Sequence, residues 1–107
     1  MATSPLYILV RLWIRTELEA EFEAYERKVS RIMARYGGVI ECAIRTSKAS
    51  DDKSNEPFEV HLLKFPSRAL YDAYRDDPER RSLNGERDNI IANTDIFVGT
   101  PGPTYGS

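Results

Sequence analysis

Apolar residues alternate with mixed ones from Leu6 to Arg15, where Ile8, Val10, Leu12 and Ile14 interleave with Tyr7, Leu9, Arg11, Trp13 and Arg15. A period of two predicts a β-strand, and two partly apolar faces predict cover on both sides. The period then changes. Leu18, Phe22, Tyr25, Val29, Ile32, Met33 and Tyr36 recur at helical spacing behind the capping-box sequence Thr16-Glu-Leu-Glu19, and Gly37 supplies a stop. Glu19, Glu23, Glu26, Arg27, Lys28, Arg31 and Arg35 fall on the other side of that helix and read as its solvated face. Val39 to Thr46 returns to strand alternation, with Ile40, Cys42 and Ile44 on one face and Val39, Glu41, Ala43 and Arg45 on the other. The polar run Ser47 to Pro57 predicts a loop closing a hairpin onto a third strand, Phe58 to Phe65.

Phe65-Pro66-Ser67 joins that strand to a helix. Proline has no amide donor and disfavours helical geometry in the residue before it, so the ladder ends there and Ser67 is free to cap. Leu70, Ala73 and Tyr74 follow at i, i+3 and i+4, predicting the buried face of the helix. Asp77-Pro78 predicts a cap and a first helical position, restarting a short helix that carries Leu83, Ile90 and Ile91. Thr94 to Gly99 predicts the fourth strand, and the tail from Thr100 to Ser107 is too rich in proline and glycine to extend it. The order is β-α-β-β-α-β. We therefore expect a single α+β domain of ferredoxin-like type, with its core at about 6–99 and a four-stranded antiparallel sheet carrying both helices on one face.

Composition narrows the possible partners. The 107 residues are 30% charged with a net charge of −2 and no basic block, which argues against nucleic acid. The longest apolar run, Leu6 to Ile14, is broken by Arg11 and too short for a membrane helix or a signal segment. The single cysteine, Cys42, fits a reducing cytoplasm and reads as a buried thiol. One His and one Cys cannot assemble a zinc site, so no metal is expected.

Helices on one face of a sheet leave the other bare. With Ile8, Val10, Leu12, Ile14, Ile40, Cys42 and Ile44 under the helices, the bare set is Tyr7, Leu9, Arg11, Trp13, Val39 and Ala43, with His61, Leu63 and Phe65. That patch is too apolar for a monomer, so a homodimer packed sheet to sheet is expected. Phe65-Pro-Ser67, Ala69, Tyr74, Asp77-Pro-Glu79 and Arg87 make the chain resemble the bacterial domain-of-unknown-function family numbered thirteen-thirty, within the dimeric α/β-barrel superfamily that also holds antibiotic-biosynthesis monooxygenases and muconolactone isomerase-like proteins. It departs at Arg80, where the family commonly has an aromatic residue. The resemblance implies a homodimer and, by analogy, a cofactor-free isomerase or monooxygenase-like enzyme acting on a small molecule.

Alternation places Tyr7, Arg11, Trp13, Glu41, Arg45, Glu59 and His61 on the partner-facing side. His61, Arg11 and Glu41 are the candidate catalytic residues. His61 moves a proton with Glu41 or Glu59 setting its tautomer, Arg11 holds a carboxylate or enolate, and Tyr7 and Trp13 stack on a planar substrate. The plainer alternative is a non-catalytic dimer in which Arg11 pairs with Glu41 across the interface and His61 donates to a backbone carbonyl. Tyr71 and Tyr74 read as packing, and Arg68 and Arg87 as capping or pairing residues.

Overall fold

The computed structural model describes residues 4–46 and 55–106. Strands β1 (Leu6–Ile14), β2 (Val39–Arg45), β3 (Glu59–Phe65) and β4 (Ile91–Gly99) form one antiparallel sheet in the order β2-β3-β1-β4. Helix α1 (Glu19–Ala34) joins β1 to β2, and α2 (Arg68–Arg75), α3 (Pro78–Ser82) and α4 (Asn84–Ile90) join β3 to β4. This is the expected α+β ferredoxin-like arrangement. Most of the expected loop, 47–54, lies outside the described residues.

The helix signals work as far as their chemistry reaches. Ser67 accepts from the Leu70 amide at 3.2 Å and starts α2, and Asp77 accepts from the Arg80 amide at 3.0 Å and starts α3 behind it. Gly37, at φ +75°, takes the left-handed turn that ends α1. The Thr16 capping box does not form. Glu17 turns left-handed at φ 66° and Leu18 becomes the N-cap residue, packed against the core, so Thr16 stands two residues short of the cap. On α2 the buried residues are Tyr71 and Tyr74, while Leu70 and Ala73 are exposed. β4 begins at Ile91 rather than Thr94 because Ile91 pairs with Ile14 across a register shift.

Strand phase decides what each face carries. Leu6, Ile8, Val10 and Leu12 turn toward the helices and pack with Phe22, Tyr25, Val29, Ile32 and Met33 of α1. Residues paired across an antiparallel ladder share a face, and Val10 pairs with His61, Ile8 with Leu63, Leu6 with Phe65 and Leu12 with Glu59. His61, Glu59, Leu63 and Phe65 therefore face the helices, not a partner, which corrects their expected placement. β2 changes phase within itself. Ile40 pairs with Leu63 and Cys42 with Leu62, leaving Glu41 as the extra residue of a bulge. Beyond it Ala43 and Arg45 share the helix face with His61 and Glu59, whereas Cys42 and Ile44 turn to the bare face. Cys42 is exposed, contrary to the buried thiol expected.

The turn after α1 approaches β3 closely. A Cβ on Gly38 would overlap the Phe65 ring and the Met33 side chain, both fully packed. Gly38→Ala is therefore expected to destabilise the fold by about 1–3 kcal/mol in urea unfolding. An unchanged midpoint would show that this corner can relax.

Candidate functional site

A cavity of about 120 Å³ lies between the sheet and the helices. Its floor is Ile8, Val10, Leu12 and Leu63, its walls include Tyr25, Tyr71 and Tyr74, and its polar lining comprises Glu26, His61, Thr94 and three arginines, Arg75, Arg80 and Arg87. His61 arrives on β3 opposite Val10, and Glu26 arrives on the buried stripe of α1, four residues after Phe22 and three before Val29.

His61 anchors a chain of polar groups under α1. Its Nε2 lies 2.5 Å from Glu59 Oε2, and its Nδ1 lies 4.0 Å from Glu26 Oε2. Arg45 donates to Glu59 Oε1 from Nε at 3.1 Å and from a terminal nitrogen at 2.8 Å, and its other terminal nitrogen reaches Glu23 Oε2 at 3.0 Å. With Arg45 occupying Oε1, Glu59 Oε2 is left to accept, so Nε2 donates and His61 turns Nδ1 toward Glu26. Burial pushes the Glu26 carboxyl above the usual carboxylate range against the pull of His61, while nearby Glu59 adds to the rise and Arg87 opposes it. The outcome is a carboxyl and an imidazole, Glu26 and His61, 4.0 Å apart on the wall of a largely apolar chamber.

The arginines stand at its edges. Arg87 donates to Thr94 Oγ1 at 2.6 Å, and Arg80 lies over the Tyr74 ring at 5.0 Å while donating to the Arg75 carbonyl oxygen at 3.2 Å. Burial raises the Tyr25 hydroxyl to about 12, with Arg87 opposing, and raises the Tyr74 hydroxyl, with Arg80 opposing. Both phenols stay protonated at neutral pH and can donate to a bound oxygen.

The expected constellation is thus divided by the sheet. Tyr7, Arg11 and Trp13 lie on the bare face, where Arg11 pairs with Asp95 at 2.5 Å and its guanidinium stands 5.6 Å from the Trp13 ring centre and 5.3 Å from that of Phe97. Trp13 donates to the Asn55 carbonyl oxygen at 3.2 Å, and Lys64 lies over the Tyr7 ring. Glu41 is exposed at the bulge, so within the chain it meets neither Arg11 nor His61. Of the two carboxylates expected to set the His61 tautomer, Glu59 is in contact; a backbone carbonyl is not the partner of Nε2. Glu26, Arg80 and Arg87 were not expected at a site. For Glu26 the signal was available, because it occupies a position in the apolar stripe that the helical period assigns to the core. Among the described residues no three His, Cys, Asp or Glu side chains are placed to hold a metal ion, and no helix is long and apolar enough to cross a membrane.

Solved structures share this fold. A protein of unknown function from Rhodopseudomonas palustris superimposes with a TM-score of 0.79 at 18% identity, covering 94% of this chain and 85% of that one. A single-site variant of SnoaB, a cofactor-independent oxygenase from Streptomyces nogalater, gives 0.77 at 13% identity over 98% of this chain and all of its own. A DABB-family protein with a ferredoxin-like fold from Mesorhizobium loti gives 0.67 at 14% identity over 94% and 100%. The class is therefore the α+β ferredoxin-like fold. No family model matches the sequence, and no curated protein is similar to it.

Proposed function

We propose that this chain is a cofactor-free enzyme acting on a small molecule in the chamber between sheet and helices, in the manner of an isomerase or a monooxygenase. The observation that carries this is the Glu59–His61–Glu26 series, buried beside an apolar cavity with arginines at its rim. A base so placed removes a proton from an activated carbon or a phenol, and the guanidiniums and phenols stabilise the charge that develops on oxygen. The resulting anion is what an isomerase reprotonates at another carbon and what a monooxygenase presents to dioxygen. Likeness in fold to a cofactor-independent oxygenase is compatible with either outcome and selects neither.

Ligand-induced thermal shifts over a library of enolisable and phenolic compounds test the site. Compounds that raise the melting temperature of the wild type are expected to lose that effect in His61→Gln and Glu26→Gln, and the enolisable ones to exchange their acidic C–H proton with deuterated water faster with the wild type than with either variant. Shifts indifferent to both substitutions would remove the chamber as the site.

A homodimer, and membership of the thirteen-thirty family, belong to the same reading. Leu9, Val39, Ile44 and Phe97 are 38%, 48%, 57% and 53% exposed on the bare face, a patch that packing against a second copy would cover. Sedimentation at micromolar concentration is expected to give twice the monomer mass, and Leu9→Asp to give a folded monomer. A wild type that sediments as a monomer contradicts the assembly. The bare face also supports a second reading, a non-catalytic binding or structural dimer, for which no compound in the library would bind.

A further inference from the structure

Two surface grooves share arginines with the cavity. Arg75 and Arg80 line both the cavity and an outer groove beside α2 and α3, while Arg87 and Thr94 line both the cavity and a second groove beside α4. Neighbouring arginines are committed elsewhere: Arg35 to Glu79 at 2.9 Å, Arg81 to Asp76 at 3.0 Å and Arg15 to the Asp88 carbonyl oxygen. Arg80 pairs with no carboxylate among the described residues, and the nearest approach of Arg87 is 3.8 Å, to the solvent-facing Asp88. Two guanidiniums that keep donors in hand at the mouths of an apolar chamber fit an anionic group on whatever enters.

Size sets the other limit. A chamber of about 120 Å³ is smaller than the roughly 150 Å³ apolar cavity that accepts benzene in a well-studied lysozyme variant, so the reacting part of the ligand is no larger than one six-membered ring. Tyr71 under Arg75 and Tyr74 under Arg80 wall the chamber on that side.

We infer that the ligand is a small carbon acid bearing a carboxylate next to its activating carbonyl, a short 2-oxo acid being the simplest case, with the carboxylate held by an arginine at the mouth and the acidic carbon inside against Glu26 and His61. One guanidinium fork spans the carboxylate and the adjacent carbonyl oxygen. The base takes the proton from C3, the C–H electron pair becomes the C2–C3 π bond, and the carbonyl π pair moves onto oxygen as an enolate beside the arginine. Return of a proton to C3 or to oxygen closes the step with no other reactant. This inference rests on the proton-abstraction reading above.

The test is ligand-observed NMR in deuterated water with three probes: 2-oxobutanoate, its methyl ester, and 2-oxo-3-(2-naphthyl)propanoate. The acid is expected to bind at least about tenfold tighter than the ester or the two-ring acid, and that preference is expected to collapse in the Arg80→Gln, Arg87→Gln double variant. Exchange of the C3 protons is expected with wild type and lost in His61→Gln. Equal binding of acid and ester, equal binding of the two-ring acid, or no binding of 2-oxobutanoate by the wild type overturns the inference, and the wild-type comparison needs no variant to fold. Selective binding of the small acid without exchange upholds the size and charge assignment and overturns proton abstraction. Exchange of the ester as fast as of the acid upholds proton abstraction and overturns the anion requirement.

Discussion

Phe65→Ala is expected to cost about 3–5 kcal/mol, at the upper end of single truncations. Phe65 has no exposed surface. Its ring packs against Tyr71 at 5.3 Å and 65° and against Tyr74 at 5.4 Å and 37°, and Gly38 is left without a side chain to make room for it. Cutting the ring to a methyl leaves a hole between β3 and α2 that the fixed cap at Ser67 prevents from closing. Against a total stability of about 5–15 kcal/mol for a domain this size, the urea midpoint should fall by a large fraction. Phe97→Ala, on the bare face, provides the control and is expected to change unfolding mainly through its dependence on protein concentration. A Phe65→Ala loss below about 1 kcal/mol would place the ring outside the core and undo the β3 phase on which the site depends.

The second large effect is alkaline. Burial holds the Tyr25 hydroxyl at about 12 in the folded chain against 10.0 when unfolded, with Arg87 pulling the other way. A group whose pKa rises on folding contributes stability that is complete below its unfolded value and is lost as pH climbs through its folded value. Stability should therefore be unaffected by Tyr25 below about pH 10 and fall by roughly 2–3 kcal/mol as the pH passes 10 and approaches 12. Comparing unfolding of wild type and Tyr25→Phe on either side of pH 10 isolates this contribution, because the other tyrosines and the lysines titrate in both. The phenylalanine variant is expected to gain on the wild type with rising pH. A constant difference across that window would mean the Tyr25 phenol is solvated, and the chamber wall with it.

The fold was readable because several local signals agree. Only one phase of β1 makes a continuous apolar row, the stripe from Phe22 to Met33 fits a single helical face, and Ser67 and Asp77 are side chains that satisfy helix amides when placed just before Leu70 and Arg80. The site was not readable for three physical reasons. In β3 both phases are half apolar, Val60 and Leu62 against Leu63 and Phe65, so hydrophobicity alone does not choose a face, and the choice made put His61 with Arg11 and Trp13. In β2 the bulge at Glu41 has no residue-type signature, since it is imposed by pairing with β3. In α1 Glu26 was grouped by its charge with the solvated residues, although its position belongs to the buried stripe. The first two are tertiary effects acting on an ambiguous local pattern; the third was legible in the helical period.

The bulge carries a consequence for how residues in β2 are to be understood. Side chains alternate every residue, so the segment after Glu41 runs half a period out of step with the segment before it. The number of residues in that strand, rather than their kind, settles that Arg45 steadies the buried carboxylate of Glu59 while Ile44 meets whatever covers the outer face. Charge relay and assembly surface thus share a single length-dependent hinge in phase: a relative one residue shorter there would pair without the bulge and keep both roles, whereas one of the same length paired without the bulge would exchange them.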